Sequence, residues 1–156
     1  MLTQLNRLSL EVDGRYAKSD ELDFVKSSLQ ATDLRLSVYQ KLCTHAPEII
    51  ARTEKKMKAM DKKLFINSEH DFTEVWEKDI EMLLRYASAA VLFNDPDHLR
   101  EGLLLWHNTI AKSYKFDHTC DVTFNTMPEI IKEYLTEEEA KLFLPILQMN
   151  KIFLVE

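Results

Sequence analysis

The sequence contains very few residues that interrupt helices or form tight turns. Only 2 of its 156 residues are glycine and 4 are proline. Folds rich in strands or loops need many more turn-forming residues over a chain of this length. The composition therefore predicts a nearly all-helical protein. The length is that of one domain with a hydrophobic core of its own.

Cysteine and long apolar runs are scarce as well. The two cysteines, Cys43 and Cys120, suggest neither a disulfide framework nor a zinc site of paired cysteines. So low a cysteine content is typical of a protein in a reducing compartment. No segment approaches the ~20 consecutive apolar residues of a membrane-spanning helix. The first residues also lack the layout of a signal peptide. Together these absences predict a cytoplasmic protein without a transmembrane segment.

Positive charge is in deficit. The formal net charge is -6, and a protein of this charge repels polyanions, so nucleic acid is not a predicted partner. One basic cluster lies between Arg52 and Lys63, where six lysines and arginines accompany two acidic residues. Such runs are more often solvent-exposed helix faces than anion-binding sites.

Apolar residues at helical spacing predict six or seven helices and no strand. The first long helix is predicted from about Ser19 to beyond Cys43. Cys43 is predicted as a small core residue on its apolar stripe, which consists of Leu22, Val25, Leu29, Leu36, Tyr39 and Cys43. A second long helix is predicted to begin near Asp71. Its apolar stripe consists of Trp76, Ile80, Leu83, Leu84, Ala87 and Val91.

The later helices carry start signals. Asp95 and Pro96 supply an N-cap and a first-turn proline. Thr136 and Glu139 form a capping box for the last helix, inside which Pro145 predicts a kink or an early break. The stripe expected after Pro96 consists of Leu99, Leu103, Trp106, Ile110 and Tyr114.

Several of these segments resemble phycobiliprotein subunits. Val12–Tyr16 is similar to the Gly-Arg-Tyr corner of their N-terminal hairpin. Leu84–Ala87 and Asn94–Pro96 are similar to their central helix and its end. Leu99–Tyr114 resembles the helix that follows, with Trp106 in place of a glycine. The order and spacing of the segments extend the resemblance over most of the chain.

The resemblance implies a globin-like, all-α fold with an additional N-terminal helical hairpin. It implies a single phycobiliprotein-like domain over residues 1–156. The hairpin would occupy residues 1–30 and the globin-like core residues 31–156.

Assembly is a further implication of the resemblance. In phycobiliproteins two subunits clasp each other by their hairpins, and the aspartate before the Gly-Arg-Tyr turn pairs with the arginine of the partner's Leu-Arg-Tyr motif. These positions are Asp13 and Arg85 here, and Arg15 and Tyr16 complete the corner. We therefore expect a homodimer, or a heterodimer with a phycobiliprotein-like subunit.

The cysteine that carries the bilin in this family is missing. Counting back from Asp79, its position falls on Trp76, whose indole cannot form a thioether. The resemblance makes Asp79 the carboxylate that hydrogen-bonds the pyrrole nitrogens, although a first-turn helix acid is an equal explanation. Lys78 takes the place of an arginine that pairs a bilin propionate, without its two-pronged geometry. Cys120, predicted in a polar loop, is the one thiol that could replace the attachment site, and is otherwise a free loop cysteine.

Two functions follow from the resemblance. The first is an accessory or regulatory protein of a cyanobacterium or related organism, associated with phycobilisomes or bilin handling. It would be bilin-free or bind a tetrapyrrole such as phycocyanobilin or biliverdin without a covalent bond. The second is a light-harvesting carrier with bilin at an unusual site such as Cys120. Either would be cytoplasmic and associated with the thylakoid surface through phycobilisomes.

A haem-binding globin-type sensor using His107 is a third alternative, although no second ligand is spaced against this histidine. The other histidines show no metal-ligand spacing. No nucleophile with a matching base and no phosphate-binding loop is recognisable, so an enzymatic activity is not predicted.

Overall fold

Helices dominate the computed structural model, which describes residues 1–67 and 70–155. In chain order the α-helices are α1 (Leu2–Glu11), α2 (Asp23–Gln30), α3 (Thr32–Met60), α4 (Thr73–Leu92), α5 (Pro96–Leu99), α6 (Leu105–Tyr114), α7 (Asp117–Ile131) and α8 (Glu137–Val155). Short 3₁₀ turns cover Asp20–Leu22 and Lys62–Phe65, and a π-helical turn over Arg100–Leu104 joins α5 to α6. The predicted all-α, globin-like fold class is confirmed.

A short antiparallel pair lies between α3 and α4. Strand β1 (Ile66–Asn67) pairs with β2 (His70–Asp71). The sequence predicted no strand here, and this prediction was wrong. Strands of two residues have no periodicity from which they could be recognised.

The first long helix is not continuous. Ala31 separates α2 from α3 with φ -104° and ψ 18°, which lies outside the helical region. The predicted single helix from Ser19 to beyond Cys43 was therefore wrong. Helix α3 nevertheless continues to Met60, well beyond the predicted stretch.

The inward face of α3 also differs from the predicted stripe. Leu36 and Cys43, which lie on that stripe, are exposed, and Leu29 of α2 is 65 % exposed. Because the inward face includes polar groups such as Arg35 and Thr53, the apolar pattern of the sequence selected the outer face. The buried residues of α3 are Arg35, Val38, Leu42, Ile49, Thr53 and Met57.

Helix α4 lies at the centre of the fold, packed against α3 and α8, while α7 also packs against both. Every residue of the predicted α4 stripe, from Trp76 to Val91, is buried, which confirms that pattern. No helix among the described residues combines the length and the apolar character needed to cross a bilayer.

The π-helical turn changes which face of α6 is buried. A π turn inserts one extra residue, which rotates the following helix by roughly 100° about its axis. Consequently Trp106 (57 % exposed) and Tyr114 face outward, although the sequence predicted both on the buried stripe. His107 and Ala111 are buried instead.

Helix α8 begins at the predicted capping box. The backbone N–H of Thr136 donates to Glu139 Oε2 at 2.7 Å, and the N–H of Glu139 donates to Thr136 Oγ1 at 3.3 Å. These mutual bonds confirm the prediction. The helix then continues through Pro145 to Val155, so the alternative of an early break was wrong.

Candidate functional site

Trp76 is enclosed at the start of α4. Its side chain is 5 % exposed, and its Nε1 donates a hydrogen bond to Thr123 Oγ1 of α7 at 2.9 Å. The Thr123 hydroxyl donates its own proton to the Thr119 carbonyl at 2.7 Å and keeps lone pairs for the indole. Phe65 meets the indole edge-on, with ring centroids 5.2 Å apart. Packing and a hydrogen bond therefore both hold the ring.

Very little space remains beside the Trp76 ring. The cavity bordered by Trp76, Asp79, His107 and Cys120 has a volume of about 30 Å³. This is about the share of liquid volume that one water molecule takes. Neither a bilin nor a haem has room at this position.

Asp79 and His107 face each other across this cavity. His107 Nε2 lies 3.9 Å from Asp79 Oδ2, which is too long for a hydrogen bond. Burial raises the pKa of Asp79, and the nearby imidazole opposes this shift only in part. Burial likewise lowers the pKa of His107, so its ring is mainly neutral at pH 7. Among the described residues, no hydrogen-bond donor meets the Asp79 carboxylate.

Cys120 lies in the first turn of α7 rather than in a loop, so its predicted position was wrong. Burial, followed by the charges of Asp117 and Asp79, raises the pKa of its thiol to about 12. The reactive thiolate is therefore scarce at neutral pH. Cys43 is the more exposed of the two thiols.

The structure brings together three of the four residues predicted at the chromophore position. Trp76, Asp79 and Cys120 border one cavity, whereas Lys78 is exposed and lies outside it. His107 borders the same cavity. The sequence predicted only that His107 lies on a later helix and did not place it beside Asp79. The sequence did not reveal the π turn before α6, and this turn rotates His107 toward the core. No group of three or more potential metal ligands occurs in the parts of the chain that are described.

A larger groove lies outside the closed cavity. It has a volume of about 490 Å³, and Asp79 borders both spaces. One wall is aromatic, because Phe72 stacks on Phe116 with centroids 4.4 Å apart. Phe116 also stacks on Tyr114, with centroids 5.7 Å apart. We call these three rings the aromatic wall; they give the groove an apolar border.

The predicted assembly residues lie on the surface of the N-terminal segment. Tyr16 is 97 % exposed, and Asp13 is exposed as well. Arg15 pairs with Glu21 through two hydrogen bonds, of 2.9 and 2.7 Å. The hydrogen bond from Arg15, together with the backbone N–H of Lys18, lowers the pKa of Glu21 to about 2. Arg15 therefore stabilises the corner of its own chain.

Arg85 borders a groove of about 570 Å³ between α1 and α4. The groove includes the apolar side chains of Leu2 and Phe93. Helix α1 is held beside it because the backbone N–H of Thr3 donates to buried Asp95 at 2.7 Å. Within the described chain, Arg85 has no hydrogen-bond or ion-pair partner.

The comparisons with known proteins agree with this fold. No curated protein matches the chain significantly. The family model described as phycobilisome protein matches residues 8–150, which is most of the 156 residues. The chain therefore belongs to the phycobilisome protein family.

Proposed function

We propose that this protein is an accessory or regulatory member of its family, associated with phycobilisomes or bilin handling, that carries no covalently attached bilin. The observation that carries the proposal is Trp76. The resemblance places the attachment cysteine at this position, and the indole leaves a cavity of only about 30 Å³. A buried tryptophan held by a hydrogen bond and by an edge-on phenylalanine is costly to displace.

The alternative of a pigment carrier linked through Cys120 has weaker support. Thioether formation needs a nucleophilic thiolate, and burial raises the pKa of this thiol to about 12. The cavity beside Cys120 is also the one that Trp76 fills. Both observations favour a protein without covalent pigment.

A tetrapyrrole bound without a covalent bond would use the outer groove. Asp79 lies at its border with no hydrogen-bond donor among the described residues, and the aromatic wall stands beside it. A protonated pyrrole nitrogen would give the carboxylate a charge-assisted hydrogen bond. The aromatic wall would give the ligand an apolar contact surface.

The partner in this proposal is a second copy or a phycobiliprotein-like subunit. Exposed Leu2, Leu5 and Leu10 form an apolar surface on α1 of the kind that interfaces cover. Asp13 and Arg85 carry opposite charges, and neither has an ion-pair partner among the described residues of its own chain, so each is available to a second chain. Such assembly would place the protein at phycobilisomes, in the cytoplasm and at the thylakoid surface.

Light scattering after size-exclusion chromatography tests this proposal. We expect the wild-type protein to dimerise, or to form a heterodimer when a phycobiliprotein subunit is added, and Arg85→Ala to weaken either complex by at least about tenfold. Lys78→Ala is the matched control, because Lys78 is an exposed cation on the same helix outside the groove. A wild-type protein that stays monomeric at high concentration, alone and with these subunits, would overturn the assembly part of the proposal.

A further inference from the structure

A groove lies between α7 and α8, and we call it the α7–α8 groove. It has a volume of about 830 Å³, which is within the range of ligand-binding clefts. None of its bordering residues also borders the Arg85 groove or the cavity beside Trp76. The apolar side chains at its border include Phe124, Leu135, Ala140 and Leu144. The groove is therefore separate from the surfaces discussed above.

Two prolines inside helices border this groove. Pro128 lies inside α7 and Pro145 inside α8. A proline has no backbone N–H, so the carbonyl four residues before it loses its helical donor. These carbonyls belong to Phe124 and Lys141, and both residues also border the groove. Each of the two helices therefore contributes a backbone acceptor that lacks its usual partner.

Such acceptors favour one backbone conformation in a partner. A helical partner has no spare N–H groups beyond its first turn, because its own carbonyls accept them. An extended peptide keeps its N–H groups free, and its side chains alternate between two faces. It can therefore donate hydrogen bonds to the two helices while one row of its apolar side chains contacts Leu135 and Leu144.

Lysines border the groove at the end of α7 and on α8. Lys132 pairs with Glu129 at 2.8 Å, and Lys141 pairs with Glu137 at 2.7 Å. These side chains are between 48 % and 85 % exposed, so the pairs contribute little and can be exchanged. Among the described residues at this border, Glu137 is the only acidic one. The border therefore favours a partner that carries carboxylates.

We propose that the α7–α8 groove binds an extended, acidic segment of a partner protein. The N–H groups of this segment donate to the carbonyls of Phe124 and Lys141. Its apolar side chains contact the groove, and its carboxylates pair with Lys132 and Lys141. The inference goes beyond the proposed function, because it adds a partner surface that shares no residue with the groove at Arg85.

A second copy of this chain fits the groove less well. The exposed leucines Leu2, Leu5 and Leu10 lie on α1, where the helix itself uses most backbone N–H groups. The strands β1 and β2 contain two residues each and are already paired with each other. The occupant that satisfies the free carbonyls is therefore a segment of a different protein.

A capped octapeptide of alternating valine and glutamate is the probe. Amide NMR spectra of the isotope-labelled protein should show shift changes at residues that border the groove, such as Leu135, Ala140 and Leu144. The same peptide N-methylated at its valines keeps the charges but lacks these N–H donors, so it should bind at least about tenfold more weakly. A peptide with lysine in place of glutamate should bind more weakly by a similar factor.

Variants of the protein separate the two contributions. Pro145→Ala supplies the N–H that the Lys141 carbonyl lacks, so it should weaken binding by about threefold or more even though alanine is the better helix former. Pro47→Ala is the matched control, because Pro47 lies inside α3 and outside the groove. Lys141→Gln should weaken binding of the glutamate peptide by about two- to fivefold. Lys55→Gln, at an exposed lysine of α3, should leave binding unchanged.

Shift changes confined to other surfaces, or equal affinity for the N-methylated peptide, would overturn the inference. No binding of the glutamate peptide at millimolar concentration would overturn it as well. Circular dichroism of each variant verifies that the fold is kept. Dimer formation and the mass of the chain are measured without the peptide. A failed titration with an intact dimer and no covalent pigment would therefore overturn this inference and leave the proposed function standing.

Discussion

Thr123 of α7 accepts the indole N–H of Trp76 of α4 at 2.9 Å, so a hydrogen bond joins two core helices at the position predicted for bilin attachment. The bond is buried, and neither partner is exposed to water that could replace it. A buried polar group that loses its partner costs about 1–3 kcal/mol. The tryptophan at the predicted attachment position thus also stabilises the fold.

Removing the indole N–H should destabilise the protein. We expect Trp76→Phe to lower the free energy of unfolding by about 2 kcal/mol, because the variant loses both ring volume and the hydrogen bond to Thr123. Urea denaturation measures this change. Combining it with Thr123→Val in a double-mutant cycle should give a coupling free energy of about 1 kcal/mol. Strictly additive effects would contradict an energetically significant bond.

A second prediction concerns the pH dependence of stability. Burial of Glu139 alone would raise its pKa, but hydrogen bonds from Lys41, the Thr136 N–H and Ser37 lower it to about 2, compared with an ordinary value of 4.5. The folded state therefore favours the carboxylate. Its contribution is complete above pH 4.5 and is lost as the pH falls from 4.5 through about 2.

Glu139→Gln should accordingly lower the free energy of unfolding by about 2 kcal/mol at pH 7 and by much less at pH 2.5. Urea denaturation at both pH values measures the difference. Glu137→Gln is the control, since the Glu137 side chain is 85 % exposed in its pair with Lys141 and should change stability by less than about 0.5 kcal/mol. An equal loss at both pH values would refute the assignment of the charged hydrogen bonds.

The two thiols should differ sharply in reactivity. Cys43 is exposed, whereas burial raises the pKa of Cys120 to about 12. An Ellman assay at neutral pH should therefore detect one fast thiol in the folded protein and the second only after unfolding. Cys43→Ser should remove the fast phase. Rapid reaction of both thiols in the folded state would argue for an open cavity at Cys120.

Exchanging charges tests the predicted pairing between chains. Asp13→Arg and Arg85→Asp should each weaken the homodimer by at least about tenfold, because each brings like charges together. The double variant restores opposite charges and should recover most of the affinity. Sedimentation velocity measures the dimer affinity of the two single variants and of the double variant. Single variants that dimerise like the wild type would place the interface elsewhere.

The central helix α4 could be predicted from the sequence because its apolar residues follow a regular helical spacing and all of them are buried. The α4 stripe from Trp76 to Val91 is apolar, regular and fully buried, and the Thr136–Glu139 capping box forms as predicted. The assignment of Trp76 to the attachment position rests on the count back from Asp79 and stays a prediction. Local patterns and burial lead to the same conclusion in these elements.

The errors have local physical causes. The π turn at Arg100–Leu104 contains Gly102, but a single glycine in a helical pattern does not reveal a shift of helical phase. Trp106, predicted on the buried stripe, is therefore exposed, and His107 is buried. On α3 the predicted stripe followed Leu36 and Cys43, which are exposed. The buried face mixes apolar residues with Arg35 and Thr53, so the apolar pattern did not reveal it. The small cavity beside Trp76 depends on tertiary contacts between helices and could not be predicted.

Intact-mass spectrometry of the protein produced in cells that synthesise phycocyanobilin tests the central claim most directly. The account predicts only the unmodified chain, of 18.3 kDa, after denaturation, with no bilin fluorescence on a zinc-stained denaturing gel. Cys120→Ser and Cys43→Ser should give the same result. A bilin adduct on the wild-type chain that either substitution removes would contradict the claim that Trp76 has closed this protein to covalent pigment.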